Sequence, residues 1–372
     1  MARMRDIAER ANTSIGTVSM VLNGRGGRIR VSERTRRAVL DAADALEYTP
    51  NLVARRLRAD GNGRRSLMLA VAHPIDSRLS LVSRIVSGMQ RHLDTDRQTF
   101  EALGYDVQLT METFVPGELH RLRGLREPLW YNGLLVSNTS PEDDSFLEAH
   151  HSGVPIVAFQ RNIAISYVNA DNFAAAGNVA DHLIGLGHRR FTVVTPGVDA
   201  QAIRLRVEGF NCRLAAAGLP AADLVVAPGD NWTENAYRAS MCRLASSPDR
   251  RPTAIFATND LLALGVMRAA RDCGLLVPDD LAVIGFDDVE FAPFTSPALT
   301  SVHLPIEEMA AEAVAILFDL VQRRVEVPVQ KFFPTRLIVR ESCGAARRSP
   351  GGQSLSVSDH MERTPPVGVM TP

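Results

Sequence analysis

Four absences bound what this chain is. No apolar run approaches the ~20 residues that span a bilayer, so no membrane-spanning helix is expected. The start, MARMRDIAERANTS, is charged and has no apolar signal-peptide core, so a cytoplasmic location is expected. The only cysteines are Cys212, Cys242, Cys273 and Cys343; they form no CxxC pair, and no histidine stands at metal-ligand spacing. A disulfide framework and a zinc site are therefore excluded, and reduced thiols are expected. There is no GxSxG, no P-loop and no HExxH, so the nucleophile elbow, the phosphate-cradling loop and the zincin site are missing. No catalytic residue, metal or cofactor is expected. Lysine is nearly absent as well: Lys331 is the sole one, and arginine carries the basic charge.

What is present is unevenly distributed. The chain has 372 residues, enough for two or three domains, and 45% hydrophobic residues, enough for a sizeable core. Net charge is −1, yet residues 1–65 hold 14 arginines against 7 acidic groups, and the remainder holds 27 basic against 35 acidic groups. A basic head on an acidic body points to a polyanionic partner for the head.

The head reads as three helices. Met4, Ile7, Ala8 and Ala11 fall on one helical face of MRDIAERA. Asn12, Thr13 and Ser14 make a turn, with Ser14 placed to cap the next helix. That helix, IGTVSMVL, points Val18, Val21 and Leu22 inward and leaves Gly16, Thr17, Ser19 and Met20 near the surface; Asn23-Gly24 stops it. Ser32 caps a third helix with the apolar stripe Val39, Ala42, Ala43 and Leu46. Two short helices across a three-residue turn, with a supporting third, is the helix-turn-helix plan. Its second helix enters a major groove N-terminus first, and its dipole and hydroxyls favour phosphate. On geometry alone, a small helical bundle with no DNA role satisfies the same pattern.

The run RDIAERANTSIGTVSMVLNG…VSERTRRAVLDAADALEYTPN resembles the head of the LacI-type (lactose/galactose repressor) family from Arg5 to Asn51. The resemblance implies DNA contacts from Met4, Ser14, Ile15, Gly16, Thr17, Ser19, Met20, Asn23, Ser32 and Thr35. Three departures stand out. Asn12-Thr13 replaces Gly-Val. The loop Arg25–Arg30 is longer. Met20 replaces a common Arg, and a thioether cannot read guanine through two hydrogen bonds as that Arg can. The family's hinge motif PNxxAxxL is matched by Pro50, Asn51, Ala54 and Leu57. It implies a hinge helix formed on operator DNA, with Leu57 wedged into the central base step.

From Leu67 the texture changes to apolar strands alternating with helices, which indicates parallel sheets covered on both faces. Segments such as ATNDLLALGVMRAARDCGLLVPDDLAVIGFDD resemble the same family's effector domain, itself similar to periplasmic sugar-binding proteins. The expected fold class is an all-α helix-turn-helix head plus an α/β body of two doubly wound parallel-sheet lobes. The expected bounds are 1–50 for the head, 51–65 for the hinge and 66–344 for the body, with a disordered tail at 345–372. Within the body, one lobe is expected from 66–167 with 300–328, the other from 168–297 with 329–342.

Ligands of open α/β sheets sit beyond the carboxyl ends of strands. By the family pattern Arg206 and Asp287 match ligand-bonding positions, Asn259 a further cleft position, and Trp232 lies close to the pocket aromatic. Asp260 is read either as a helix cap or as a pocket residue, Asp288 as a turn residue, and His188 as a strand-entry residue. The family's aromatic segment after the first strand is replaced by Leu79–Val82, which weakens ring stacking on a ligand. The next helix runs longer, about two added turns near HLDTDRQ.

These readings converge on a sequence-specific transcription regulator, a repressor, cytoplasmic and homodimeric. Its partners are a near-palindromic double-stranded operator and a small polar effector, sugar-like. The alternative is a DNA-binding regulator whose body binds no small molecule and answers to a protein partner or to nothing. A solute-binding protein would have a signal peptide and no head.

Overall fold

The computed structural model describes residues 4–23, 31–46, 65–75, 79–126, 130–150, 153–198, 200–229 and 231–345. The loop Arg25–Arg30, the hinge residues Asn51, Ala54 and Leu57, and the tail beyond 345 lie outside them.

In the head, α1 (Met4–Arg10), α2 (Ile15–Asn23) and α3 (Glu33–Ala45) enclose a small core of Ile7, Ala8, Val18, Val39, Ala42 and Ala43. Both caps read from sequence are formed. Ser14 Oγ accepts from Thr17 N at 3.1 Å, and Ser32 Oγ accepts from Thr35 N at 3.1 Å. Asn12 turns the chain between α1 and α2 at φ +49°, a conformation that asparagine tolerates better than most side chains. Exposed Arg34, Arg36 and Arg37 give α3 a basic outer face.

The body alternates strands and helices: β1 (Arg65–Pro74), α4 (Leu79–Thr95), α5 (Arg97–Ala102), β2 (Tyr105–Phe114), α6 (Arg123–Arg126), β3 (Gly133–Ser137), α7 (Pro141–Ala149), β4 (Ile156–Phe159) and β5 (Tyr167–Ala170). Then come α8 (Asn172–Gly185), β6 (Phe191–Pro196), α9 (Gln201–Ala216), β7 (Asp223–Ala227), α10 (Trp232–Leu244), β8 (Ala254–Ala257), α11 (Asp260–Asp272), β9 (Ala282–Asp287) and β10 (Thr300–His303). The last elements are α12 (Ile306–Val321), β11 (Gln330–Phe333) and β12 (Arg336–Ile338). They build two six-stranded sheets, ordered β2-β1-β3-β4-β5-β11 and β7-β6-β8-β9-β10-β12. Among the described residues every pairing is parallel except β10 with β12. Strands β3, β5 and β8 are buried along their whole length, as two-sided coverage by helices requires.

The lobe bounds differ from those expected from sequence. β10, residues 300–303, joins the second sheet, and β11, residues 330–333, joins the first. The chain therefore crosses between lobes after β5, after β10 and after β11. Helix α12, between the last two crossings, packs on α4 of the first lobe. One apolar cluster runs from Leu69 and Val71 through Met309 and Leu317 to Val193, Phe256 and Ile284, so the lobes share a core at the crossings.

The long helix expected after β1 is broken. α4 ends at Thr95, Asp96 leaves helical geometry at ψ 13°, and α5 turns Phe100 into the core against Phe318 at 4.9 Å. The added residues thus deliver an aromatic to the core instead of prolonging one straight helix. Val82, in the segment that replaces the family aromatics, is buried, and Leu81 packs against the same core.

Candidate functional site

The carboxyl ends of the parallel strands carry the polar groups of the body, as expected for open α/β sheets. In the second lobe Arg206, on the second turn of α9, is 3% exposed. Its Nη1 lies 3.3 Å from Asp287 Oδ1 and donates to Thr258 O at 2.6 Å; its Nε donates to Asn172 Oδ1 at 2.9 Å. The guanidinium rests over the Phe286 ring, 3.7 Å from its centroid. Phe286 in turn leans on Phe256, which stacks on Phe210 at 5.1 Å. A ladder of rings thus fixes the plane on which Arg206 sits, and its charge meets the π face of the last ring.

Burial pulls the Arg206 guanidinium down from its ordinary value, and Asp287 opposes it. So high a starting point keeps it charged. Burial likewise pushes the Asp287 carboxyl up, while Arg206 and Arg84 pull it down. Burial is the larger effect, but Asp287 keeps 29% of its side chain exposed and has the Arg206 guanidinium 3.3 Å away, and we assign it as the anion. Its backbone lies at φ +103°, a region that favours glycine. Non-glycine residues held there store strain, which clusters at ligand clamps.

Of the other residues marked from sequence, Asn259 is buried and is the N-cap of α11, its Oδ1 accepting from Leu262 N at 2.9 Å. The cap is therefore Asn259 and not Asp260. Asp260 sits behind the Arg206–Asp287 pair: its Oδ1 accepts from Ser301 Oγ at 2.6 Å and its Oδ2 from Val289 N at 2.9 Å. Gly285 makes room for it, since a Cβ there would stand 2.1 Å from Oδ1. Trp232 opens α10 and packs against the second-lobe cluster that includes Val194, Ala227 and Ala236. Asp288 is a turn residue at φ +48°, held by His303 at 3.0 Å and Arg340 at 2.7 Å. His188 precedes β6 and pairs with Thr253 Oγ1 at 3.1 Å. In the head, Ser14, Ile15 and Gly16 are exposed at the leading end of α2, and Thr17 is half-buried. Ser19, Met20 and Asn23 follow on the same helix, and Met4 opens α1. Ser32 and Thr35 stand at the start of α3.

The first lobe adds residues that motif reading did not mark. Ser137 at the end of β3 and Gln160 just after β4 are buried, yet Ser137 Oγ and Gln160 Nε2 have no hydrogen-bond partner among the described residues. Thr258 Oγ1 and Asn259 Nδ2, at the end of β8, are in the same condition. Each such atom costs roughly 1–3 kcal/mol unless something bonds it. Neighbouring Arg161 is instead engaged, with Thr139 at 2.8 Å and Asp144 at 3.1 Å. Across the lobe boundary Gln201 clasps the main chain of Asn162, accepting from its N at 2.8 Å and donating to its O at 3.3 Å.

Asp260 makes stability depend on pH. Burial, then the charge of Asp287, pushes its carboxyl up to about 8, against hydrogen bonds from Ser301 and Val289. A carboxyl whose pKa is higher folded than unfolded stabilises the fold when protonated. That contribution is complete below the unfolded value near 4 and is lost as pH rises through about 8. The melting temperature is expected to fall between pH 5 and 9 by a component that Asp260→Asn removes, because the amide mimics the protonated acid. Thermal unfolding across that range checks it; an equal slope in the variant would clear Asp260 of the effect.

Comparison with known proteins matches both parts. Residues 3–51 fit the family described as bacterial regulatory proteins, lacI family, and residues 180–343 fit a periplasmic binding protein-like domain. The chain is 31% identical to the HTH-type transcriptional regulator CelR of Thermobifida fusca over 352 residues, 90% of this chain and 96% of that one. It is 30% identical to the HTH-type transcriptional repressor PurR of Photobacterium profundum, over 92% of this chain and 98% of the relative. Among solved structures it resembles a CelR–cellobiose complex, with TM-score 0.64 and 29% identity over 92% of this chain and 100% of the other. It also resembles the lac repressor dimer bound to operator and the anti-inducer ONPF, with TM-score 0.65 and 27% identity over 92% of this chain and 99% of the other. With caps, helical core, two parallel-sheet lobes and these relatives in agreement, the chain belongs to the lacI family of bacterial regulatory proteins.

Proposed function

We propose that this protein is a cytoplasmic transcriptional repressor that binds a near-palindromic operator as a homodimer and is controlled by a small polar, sugar-like effector in the cleft between its lobes. Its task is binding, not catalysis. The observation that carries the effector reading is the Arg206–Asp287 pair together with four buried side-chain atoms at strand ends of both lobes, Ser137 Oγ, Gln160 Nε2, Thr258 Oγ1 and Asn259 Nδ2, that have no partner among the described residues. Hydroxyl groups donate and accept, so a polyhydroxylated ligand suits both the charged pair and these orphaned atoms. The related CelR structure is a cellobiose complex, which favours the same class. With Val82 buried and Leu81 packed against the core, recognition on that side rests on hydrogen bonds instead of ring stacking.

Effector acts by differential affinity for two arrangements of the lobes, which is the requirement for any ligand-driven shift. The reading is tested by thermal shift against pentoses, hexoses and disaccharides including cellobiose. A saturable rise for one of them, abolished by substitution at Arg206, supports it. No response to any of them favours a body that answers to a protein partner.

For the head, two copies reading two half-sites require near-palindromy. Phosphate contacts from the arginine-rich segment give a steep salt dependence. We expect Met20→Arg to change the preferred half-site towards guanine, since Arg can pair with O6 and N7. Selection from a random DNA pool at fixed salt measures this. An unchanged preference would show that residue 20 of α2 does not meet the bases.

A further inference from the structure

Arg84 is an ordinary-looking charged residue on α4 of the first lobe, yet its side chain is only 20% exposed and every guanidinium nitrogen is used. Nε and Nη2 fork onto Glu307 Oε1 at 2.7 Å and Oε2 at 2.8 Å. Nη2 also donates to Leu304 O at 3.1 Å, in the second crossing between lobes. Nη1 donates to Asp287 O at 3.1 Å, in the second lobe. Asp287 therefore receives an arginine from each lobe: Arg206 on its carboxylate, Arg84 on its carbonyl. Its strained backbone at φ +103° is held between the two.

The first-lobe end of this contact is rigid. Gly88, one turn beyond Arg84, lies so close to the start of α12 that a Cβ would stand 2.5 Å from Glu307 O. α4 and α12 thus touch backbone to backbone, and neither can slide without the other. α4 follows β1, the strand by which the chain coming from the head enters the body.

We propose that Arg84 is the positioning residue that couples the cleft to the first lobe. A ligand that engages Arg206 and Asp287 shifts the Asp287 main chain, and Arg84 passes the shift to α4, α12 and the crossing between them. The inference rests on the reading of Arg206–Asp287 as the effector site. The contact joins the two lobes directly, and the coupling requires that it bias two arrangements of them, which the inter-lobe distance reads. Arginine suits it because one planar fork serves a carboxylate and two carbonyls at once; lysine offers a single point charge.

The test uses the full chain, with wild type, Arg84→Met and Arg84→Lys. Spin labels at exposed positions 142 and 208, one per lobe, report the inter-lobe distance by pulsed electron resonance, with exposed Cys212 and Cys242 replaced by serine. Arg84→Met is expected to broaden and shift the distance distribution without any ligand, and Arg84→Lys to restore it in part. Where a sugar of the panel alters operator binding by wild type, the ratio of operator Kd with and without that sugar is the decisive number. That ratio is expected to shrink about fivefold or more in Arg84→Met, the scale of a typical allosteric coupling. An unchanged ratio overturns the proposal. If no sugar acts on wild type, the effector reading fails on its own account, and Arg84 is decided by the distances: an unaltered distribution in Arg84→Met overturns it.

Discussion

Arg206→Met should abolish the effector response and lower the melting temperature by about 10 °C. Removing one partner of a buried ion pair leaves an uncompensated charge, at a cost of about 3–5 kcal/mol. Asp287 is that charge, and Thr258 O and Asn172 Oδ1 lose their donor as well. For a body of this size each kcal/mol moves the melting temperature by about 2–4 °C. Methionine keeps contact with the Phe286 ring, so the loss measured is that of charge and hydrogen bonds, not of volume. Adding Asp287→Asn separates the two roles of the pair. The double variant should regain part of the stability, because the stranded anion is gone. It should not regain effector binding, because hydrogen bonds from a charged donor are worth about 1.5–3 kcal/mol each and none returns. Thermal unfolding and the sugar thermal shift, run on wild type and both variants, check this. Full recovery of binding in the double variant would remove Arg206 from the site.

How much of this could be read from the chain depends on the range of the interaction. The caps at Ser14 and Ser32 act over three residues, so the head's helices were legible locally. The apolar strands were legible because burial on both faces leaves a run such as Ala254–Ala257 with no polar residue. Which sheet a strand joins is another matter. β10 and β11 are short segments near two crossings, and their pairing with Ile284–Asp287 and Tyr167–Ala170 carries no local mark. The break at Asp96 leaves no local mark for a related reason. A helical pattern continues on both sides, and only the pull of Phe318 on Phe100 shows why the axis turns.

The site divides the same way. Arg206, Asn259 and Asp287 were marked through the family resemblance, and the structure brings Arg206 and Asp287 into contact. Asn259 combines a cap on one side-chain atom with an orphaned donor on the other, a duality that residue type alone does not reveal. Ser137 and Gln160 stand out only once their burial and lack of partners are seen. Arg84 carried no signal, since its partners are more than 200 positions away and its helix is amphipathic like many others. The available clue is weak: a strand that ends at Asp287 and is followed by Asp288 needs positive charge nearby, and the sequence supplies many arginines that could provide it.

Gly209→Ala should cost about 3 kcal/mol, the upper end of what overpacking usually does, and weaken effector binding, whereas Gly177→Ala should cost about 1 kcal/mol, the lower end of that range, and leave binding unchanged. Both glycines lie between α8 and α9, where the helices approach closely. A Cβ at 209 would stand 2.1 Å from Phe173 O and 2.8 Å from its carbonyl carbon, so the two helix backbones must part. A Cβ at 177 would meet Arg213 Cγ at 2.9 Å, in a half-exposed side chain that can swing aside, apart from its contact with Asp181. That shift is partly offset by alanine's helix preference over glycine, worth up to about 1 kcal/mol. The link to function is geometric. Gly209 is one turn beyond Arg206, and Phe173 is the neighbour of Asn172, which holds Arg206 Nε. Driving α8 from α9 pulls Asn172 away from Arg206 and tilts the guanidinium off the Phe286 ring. Chemical denaturation of both variants gives the stability difference, and the sugar thermal shift gives the binding difference. If Gly209→Ala unfolds at the wild-type midpoint and binds effector normally, the helices are not in fixed contact, and Arg206 owes its position to the aromatic ladder alone.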